Sequence, residues 1–554
     1  MEVKAYSAND VPSSIGAFLV TVFQGQKELH GYSRKIDEAL GGQIGSLLDS
    51  GEIQGKFREF TILHKFCGNG RPFVGTDGDQ DGNLPQNSHV LVLGLGQRTD
   101  FSIDKLRSVA ARAARICRRI RISHLAIPPF DHLDLHPLEA SQACTEGILL
   151  GLYKFRKYKG TEPSLNSGVT HVALITASRE GVPSADEGIR RGVILAEATN
   201  QTRDLVNEPS NVLTPGRIAE EAKKLAEEQQ LELEVLDFDE FSAMGMGALT
   251  AVAQGSKEPA KMISLRYNGN PESRETIGLV GKGVTFDSGG ISIKPSEDMN
   301  RMTCDMAGAA AVLGATRAIA KLKLPVNVLT VIPATENLPD GKAYKPGDII
   351  RTYQGKTVEI ISTDAEGRLI LADALTYARQ KGATVLLDIA TLTGGCVTAL
   401  GHLASGLMGN HPEFMEIAQR VGYEVNEKLW PLPLFDEYKE QIRSERADLK
   451  NSGGRPASTC TAGKFLQEFV GQCPWIHIDI AGTAVSERGK TSYHRRPYLP
   501  KDGASGIGVR SIFGIVENLA SGKVVLDSVP ASTANEIFVS RNRETGKIPQ
   551  LERN

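Results

Sequence analysis

Four carboxylates and three cationic side chains are the residues whose types and spacing could do chemistry. One motif, Gly281-Lys-Gly-Val-Thr-Phe-Asp-Ser-Gly-Gly290, places a lysine and an aspartate on one glycine-rich loop after an apolar segment. A second motif, Ser362-Thr-Asp-Ala-Glu-Gly-Arg368, also follows an apolar segment and holds two acids and an arginine. The carboxyl ends of buried strands are the usual place for sites in open α/β sheets. The candidate residues are Lys282, Asp287, Lys294, Asp305, Asp364, Glu366 and Arg368.

Four carboxylates in one place would repel one another strongly unless cations neutralise them. Two divalent ions about 3.5–4 Å apart, bridged by carboxylates, would supply that charge and would acidify a bound water into a nucleophile near neutral pH. The sequence therefore predicts a centre with two metal ions, provided that the fold brings the motifs together.

The alternative for each acid is a structural role. Asp305 precedes a helix start, where negative charge is favourable. Asp364 and Glu366 could occupy the first turn of a helix capped by Ser362 or Thr363. Capping accounts for these acids but not for the Gly-Arg pair that follows them.

Other chemistry is weakly supported by the sequence. Gly94-Leu-Gly96 and the glycines around Lys282 complete neither a dinucleotide nor a phosphate-loop motif. There is no G-x-S-x-G elbow, and Cys304 has no identifiable histidine partner. His477 is the histidine expected nearest to a site, although a core histidine is the preferred interpretation.

The elements that must position these residues alternate between strands and helices. The helix that follows Asp305 is so rich in small residues that we expect it to pack closely against another backbone. The apolar runs predict a sheet buried on both faces. The strands predicted in the C-terminal part of the chain, after residue 206, are Leu231–Leu236, Met262–Tyr267, Ile277–Val280, Val326–Ile332, Thr384–Ile389 and Trp475–Ile480.

We predict an α/β protein of two domains, the larger one built on a central mixed sheet flanked by helices. A smaller α/β domain is expected over residues 1–182 and a connecting helix over 183–206. The catalytic domain is expected over 207–520, and 521–554 is interpreted as a peripheral tail.

Composition limits the possible partners and location. The 554 residues carry 63 basic and 66 acidic side chains, a formal charge of −3, which argues against global attraction to nucleic acid or membrane surfaces. The arginine-rich stretch 107–121 could still be a nucleic-acid surface, although the solvated face of a helix is preferred. Seven widely spaced cysteines without C-x-x-C, and no membrane or secretory segment, predict a cytoplasmic protein.

These motifs resemble the leucine aminopeptidase (cytosol aminopeptidase) family of dimetal exopeptidases. The resemblance covers roughly residues 200–520, whereas the N-terminal half is similar only in general layout. Ser362 departs from the asparagine usual in the family. The matching segments, in family order and spacing, are Val280–Lys294, Asp305–Ala310, Thr363–Arg368 and Asp388–Gly394.

The resemblance implies roles for individual residues. Lys294 and Arg368 become the catalytic pair, with a bicarbonate ion at Arg368. Asp287 and Glu366 become the ligands that bridge two Zn²⁺ or Mn²⁺ ions. The complete set of implied metal ligands is Lys282, Asp287, Asp305, Asp364 and Glu366, and the implied pocket for the first substrate side chain is lined by Met302, Thr391, Leu392, Gly394 and Ala481.

The resemblance also implies an activity and an assembly. A metal-bridging hydroxide would remove the N-terminal residue of peptide substrates, with leucine or another hydrophobic residue preferred because the pocket is apolar or small. The chain would form a homohexamer without a membrane partner. A DNA-binding accessory role, known for some bacterial members, is the alternative function.

Overall fold

The computed structural model describes residues 1–64, 88–130, 133, 135–160, 168–486, 496–522 and 526–527. The chain divides into two compact units, Met1–Glu197 with Tyr493–Pro500 and Ala198–Ser492 with Lys501–Asn554. Most of the predicted tail, 521–554, lies outside the described residues. Within the described ranges, no helix combines the length and apolar character needed to cross a membrane.

The first unit is an α/β domain in which helices cover both faces of one sheet. Among its described residues, six strands are ordered β1-β6-β5-β2-β4-β3, and only β3 runs antiparallel to its neighbour. Its elements are β1 (Glu2–Ser7), β2 (Ala17–Phe23), α1 (Gly31–Ala39), α2 (Gln43–Asp49), β3 (Phe60–His64), β4 (His89–Gly96), α3 (Ile103–Arg119), β5 (His124–Ile127), α4 (Pro137–Leu152), β6 (His171–Thr176) and α5 (Val182–Asn207), which continues into the second unit.

Alternation along the strands builds a core on each face of this sheet. Leu19 and Leu91 pack in one core with α3 and α4. Phe18, Val20 and Val92 pack in the other core with α1 and α2. Both faces of the sheet are therefore buried, as expected for a mainly parallel sheet.

Three arginines of the basic stretch on α3 are committed to contacts inside this unit. Arg107 is buried and pairs with Glu146 at 2.8 Å. Arg115 and Arg118 donate to the carbonyl oxygens of Gly151 and Leu152 at the end of α4, at 2.8 and 2.9 Å. These contacts favour the helix-face alternative for this part of the stretch over a nucleic-acid surface.

The second unit contains a nine-stranded mixed sheet in the order β16-β15-β18-β14-β9-β11-β8-β7, with β10 added beside β11. A three-stranded sheet, β12-β13-β17, and the pair β19-β20 complete its β structure among the described residues. Its strands are β7 (Glu232–Asp237), β8 (Lys261–Asn268), β9 (Ile277–Gly281), β10 (Gly283–Asp287), β11 (Asn327–Asn337), β12 (Ile349–Arg351), β13 (Thr357–Glu359), β14 (Val385–Ala390), β15 (Ser405–Gly409), β16 (Leu429–Pro431), β17 (Leu449–Lys450), β18 (Trp475–Asp479), β19 (Val485–Ser486) and β20 (Gly503–Ala504).

The helices of this unit pack against the strands through small and apolar side chains. Gly308 at the start of α9 shows how close the approach is, because a β-carbon there would lie 2.2 Å from the carbonyl oxygen of Ile389. The predicted close packing of this small-residue helix is confirmed. The helices are α6 (Pro215–Gln229), α7 (Phe238–Ala243), α8 (Gly247–Ala253), α9 (Ala307–Lys321), α10 (Glu366–Gln380), α11 (Gly394–Leu400), α12 (Pro412–Glu424), α13 (Ser458–Gln467) and α14 (Val509–Ala520).

The two-domain α/β architecture with a central mixed sheet is confirmed, and the six predicted strands of this unit are present. Strands β9, β11, β14 and β18 are buried along their whole length, as predicted for a sheet covered on both faces. The prediction of a fully buried strand is wrong for β7, which is only partly buried. Strand β7 pairs with β8 alone and ends the sheet, so its solvent-facing residues need not be apolar.

Candidate metal centre and active site

The site lies where the central parallel strands end. Strands β11, β9, β14 and β18 are neighbours and run parallel, so their carboxyl ends meet at one edge of the sheet. The residues at or just after these ends are Asn337, Lys282, Thr391 and Asp479. This edge is the usual position of a site in an open α/β sheet.

Lys282 joins the segments that carry the predicted ligands. Its Nζ lies 2.9 Å from Oδ2 of Asp305 and 2.7 Å from Oε1 of Glu366. It also donates to the carbonyl oxygen of Thr391 at 3.0 Å. Lys282 is 2% exposed, so a single buried ammonium group holds residues from three separate parts of the chain together.

Asp287, Asp364 and Glu366 converge on one point. Each has a carboxylate oxygen within 4.8 Å of the others, and no further such group of acids, histidines or cysteines occurs among the described residues. Asp287 and Glu366 are buried, whereas the Asp364 side chain is partly covered and 39% exposed. The two motifs of the sequence therefore meet in space, as the metal hypothesis requires.

The backbone that carries Lys282 and Asp287 differs from the prediction of one loop. Residues Gly283–Asp287 form β10, which pairs in parallel with the end of β11. The glycines on either side of Lys282 hid this strand, because glycine is uncommon inside strands. Lys282 thus lies in the break between two strands, which turns its side chain toward the cluster.

Lys294 reaches the cluster from an irregular segment. Ile291 lies in a turn and Ser292 in a bend, and Ile293 and Lys294 have no regular secondary structure. The backbone N–H of Lys294 donates to the carbonyl oxygen of Ser288 at 2.9 Å, which folds the segment back. Its Nζ lies 2.8 Å from Oδ2 of Asp287 and also pairs with Asp364. Its neighbour in the chain, Ile293, is 63% exposed and does not share this buried position.

A glycine permits the close approach of Lys282 to the second motif. A β-carbon on Gly367 would lie 2.7 Å from Nζ and 2.8 Å from Cε of Lys282. A side chain at position 367 would displace the buried lysine, which explains the glycine that helix capping left unexplained.

Neither Ser362 nor Thr363 caps the helix that follows, contrary to the capping alternative. Helix α10 begins at Glu366 with Ala365 as its N-cap and has no side-chain cap. The hydroxyl of Thr363 donates to the carbonyl oxygen of Gly289 at 2.6 Å and accepts from the N–H of Ser292 at 2.8 Å. Thr363 therefore ties the two motifs together.

Burial and crowding shift the ionisation of the cluster. Burial raises the pKa of Asp305 to about 8, and it also raises the pKa values of Asp364 and Glu366 above their ordinary range. Burial opposes the charge of Lys282 and Lys294, but the surrounding carboxylates outweigh it and raise the pKa of both lysines. Both lysines are therefore cations paired with the carboxylates of the cluster, and the acids are crowded enough to resist ionisation.

The donor set fits divalent cations. Carboxylate oxygens are ligands for several divalent ions, and a lysine amine can join them once it has lost its proton. Oδ2 of Asp305 faces Lys282 but lacks a well-aligned hydrogen bond among the described residues. A buried acceptor in this state is available to a cation.

Arg368 lies at the border of the cluster and is buried. Its Nη1 donates to the backbone oxygen of Asn451 at 2.9 Å, while its Nε has no hydrogen-bond partner among the described residues. Burial lowers the pKa of Arg368 to about 10, so that the side chain remains a cation at neutral pH.

The predicted pocket residues surround the same edge of the sheet. The hydroxyl of Thr391 donates to Oδ1 of Asp305 at 2.6 Å. The N–H groups of Leu392 and Ala481 both donate to Oδ1 of Asp479, at 3.2 and 3.1 Å. Met302 lies in the 3₁₀ turn that leads to Asp305, and Gly394 is the first residue of α11.

Three buried residues at the site were missed in the sequence: Asn337, Asn451 and Asp479. Asp479 lies at the end of the predicted strand Trp475–Ile480, a signal that could have found it, whereas Asn337 ends the observed β11 five residues beyond the predicted strand Val326–Ile332. Asn451 gives no such signal. Its side chain reaches the loop before α10 by accepting from the N–H of Ile361 at 2.8 Å.

His477 behaves as the preferred core interpretation expects. It is fully buried, and its Nδ1 lies 2.5 Å from Oδ1 of Asp388. Trp475 donates to the other oxygen of the same carboxylate at 2.6 Å. The group links β14 and β18 inside the sheet.

Comparison with known proteins identifies the family to which this chain belongs. The model of the cytosol aminopeptidase family catalytic domain matches residues 200–513, which is more than half of the chain. The chain belongs to the cytosol aminopeptidase family. The model of the family's N-terminal domain matches residues 82–162, where the sequence had shown only a general layout.

Curated relatives extend the match over nearly the whole chain. A probable cytosol aminopeptidase of Alkaliphilus oremlandii is 41% identical over 91% of this chain and 96% of the relative. One of Geobacter sulfurreducens is 44% identical over 86% of this chain and 91% of the relative. The chain is thus a metallo-exopeptidase of this family, a hydrolase with aminopeptidase activity.

Solved structures agree with the assignment. The bottromycin maturation enzyme BotP covers 92% of this chain with a TM-score of 0.74 and 30% identity. The same enzyme in complex with Mn covers 91% with a TM-score of 0.75. Membership of the family, together with the acidic cluster, indicates the use of divalent metal.

Proposed function

We propose that this cytosol aminopeptidase removes N-terminal residues from peptides with two divalent ions, held by the five predicted ligands, and prefers leucine or another hydrophobic first residue. The convergence of Asp287, Asp364 and Glu366 within 4.8 Å carries the proposal. Lys282 and Asp305 extend the donor set on the side of Thr391. When bound, the ions would lower the pKa of a water molecule toward neutrality and polarise the scissile carbonyl.

The chain's own residues supply charge and orientation. Lys294 remains an ammonium group beside Asp287, where it can stabilise negative charge that develops on a substrate oxygen. Lys282 must release its proton before it can serve as a ligand, so metal binding there displaces its ion pairs with Asp305 and Glu366.

Arg368 supports the proposed bicarbonate. Its Nε is buried without a partner among the described residues, and a planar guanidinium suits a planar oxyanion. Arginine itself cannot act as a base, so its role here is to hold the anion next to the reacting groups.

The identity of the metal and the substrate rests on further features. Manganese is supported by the complex of the similar BotP structure with Mn, and zinc is the alternative. The preference for a hydrophobic first residue rests on Met302, Leu392 and Ala481, which offer no charge to a substrate side chain. From the family resemblance we also propose a cytoplasmic homohexamer.

A free N-terminus should be essential to the substrate. We expect kcat/KM for N-acetyl-leucine p-nitroanilide to be at least about 100-fold below that for leucine p-nitroanilide, because acetylation removes the charge and the hydrogen bonds that the acidic cluster recognises. Release of p-nitroaniline, measured with the same purified chain, checks this. Equal rates on the two substrates would contradict an exopeptidase site.

A further inference from the structure

Asn337 lies at the centre of the acidic cluster, although it belongs to none of the sequence motifs. It is the last residue of β11 and pairs in register with Asp287 at the end of β10. Its backbone oxygen accepts from both the N–H and the hydroxyl of Ser288, at 3.0 and 2.8 Å. The backbone of Asn337 thus fixes the turn that follows Asp287.

The side chain of Asn337 reaches the other motif. Its Nδ2 lies 2.8 Å from Oδ1 of Asp287, 3.0 Å from the carbonyl oxygen of Thr363 and 3.4 Å from Oε2 of Glu366. Asn337 is fully buried, and three oxygens around one nitrogen fix the orientation of its amide. One side chain therefore donates to both halves of the site.

Asp287 and Glu366 share a pattern of contacts. Each carboxylate presents one oxygen to a lysine, Lys294 for Asp287 and Lys282 for Glu366. Each presents its other oxygen to the amide of Asn337. The amide is neutral, so it orients both carboxylates without adding to the charge of the cluster or competing as a cation.

We propose that Asn337 is a positioning residue that sets the orientation of Asp287 and Glu366 and thereby the affinity of the site for divalent metal. The inference rests on the proposed metal function and adds a residue outside the predicted ligand set. Groups that hydrogen-bond to metal ligands commonly contribute 10–100-fold to metal affinity. The amide of Asn337 acts in this way on two ligands at once.

The same strand offers a matched control. Asn327, the first residue of β11, is also buried and donates through Nδ2 to three backbone carbonyl oxygens, those of Asn270, Ser273 and Glu275. Replacement of either asparagine by leucine removes a comparable set of buried hydrogen bonds. Of these two asparagines, only Asn337 contacts the carboxylates of the site.

The test titrates Mn²⁺ into metal-stripped full-length chain by calorimetry. We expect Asn337→Leu to weaken the Kd for Mn²⁺ by about 10–100-fold and to lower kcat at saturating Mn²⁺ with little change in KM, whereas Asn327→Leu leaves the Kd unchanged. Thermal melting of each variant measures the loss of stability separately. Should Asn337→Leu not fold, Asn337→Thr makes the same comparison with a hydroxyl in a side chain that suits strands.

The outcomes separate this inference from the proposed function. A parental Kd in the Asn337 variant, or an equal loss of affinity in Asn327→Leu, overturns the positioning role and leaves the metal function standing. A parent chain that binds neither Mn²⁺ nor Zn²⁺, titrated in the same way, overturns both.

Discussion

Replacement of Glu366 by glutamine should lower kcat/KM for leucine p-nitroanilide by about 1,000-fold or more while the chain stays folded. Glu366 is buried, pairs with Lys282 and converges with two other acids, so it is central to the proposed donor set. The loss corresponds to about 4 kcal/mol, within the several kcal/mol that a bound metal supplies to the transition state. Glutamine keeps the shape but removes the negative charge.

A glutamate elsewhere in the same unit provides the control. Glu336 is also buried on β11, but its carboxylate accepts from the hydroxyl of Ser256 and makes no hydrogen bond to the cluster among the described residues. Glu336→Gln should retain activity within a few-fold. Circular dichroism and thermal melting show whether both variants fold, and a fully active Glu366→Gln chain would rule out this carboxylate as an essential ligand.

Replacement of Lys294 by methionine should lower kcat by about 100- to 1,000-fold with a KM close to that of the parent. The ammonium group lies beside Asp287 and Asp364, and its interaction with the substrate strengthens as negative charge develops in the transition state. Methionine keeps most of the length of the side chain without the charge. Initial rates over a range of substrate concentrations separate kcat from KM.

Lys356 is, like Lys294, partly buried and paired with an acid, Glu468, but it directly precedes β13 in the separate three-stranded sheet. Lys356→Met should therefore leave both constants nearly unchanged. If Lys294→Met instead raised KM alone, the lysine would contribute to substrate binding and not to the transition state.

Much of the site follows from the sequence because its residues are concentrated in short motifs at strand ends. Lys282 and Asp287 could be placed at the edge of the central sheet from the rule that buried parallel strands end at a common edge. Glu366 could not, because the strand before it, β13, belongs to the separate three-stranded sheet. The order of the strands could not be derived in this way. It depends on which apolar surfaces pack together over distances that local patterns do not encode.

The missed features have specific physical causes. Strand β10 has only five residues and begins with glycine, so pairing with β11 decides its conformation where local propensity does not. The hydroxyl of Thr363 bonds to Gly289 and Ser292, so a tertiary contact replaces the local N-cap that its position suggested. Asn337 follows Glu336 and lies five residues past the end of the predicted strand Val326–Ile332, and its role becomes visible only when Asp287 and Glu366 lie beside it.

The most direct test of the metal centre is the metal content of the purified chain, measured by mass spectrometry after stripping with a chelator and reconstitution with Mn²⁺ or Zn²⁺. We expect about two ions per chain, loss of leucine p-nitroanilide hydrolysis on stripping, and its recovery on reconstitution. Full hydrolysis by a chain that retains no metal would contradict the proposed mechanism.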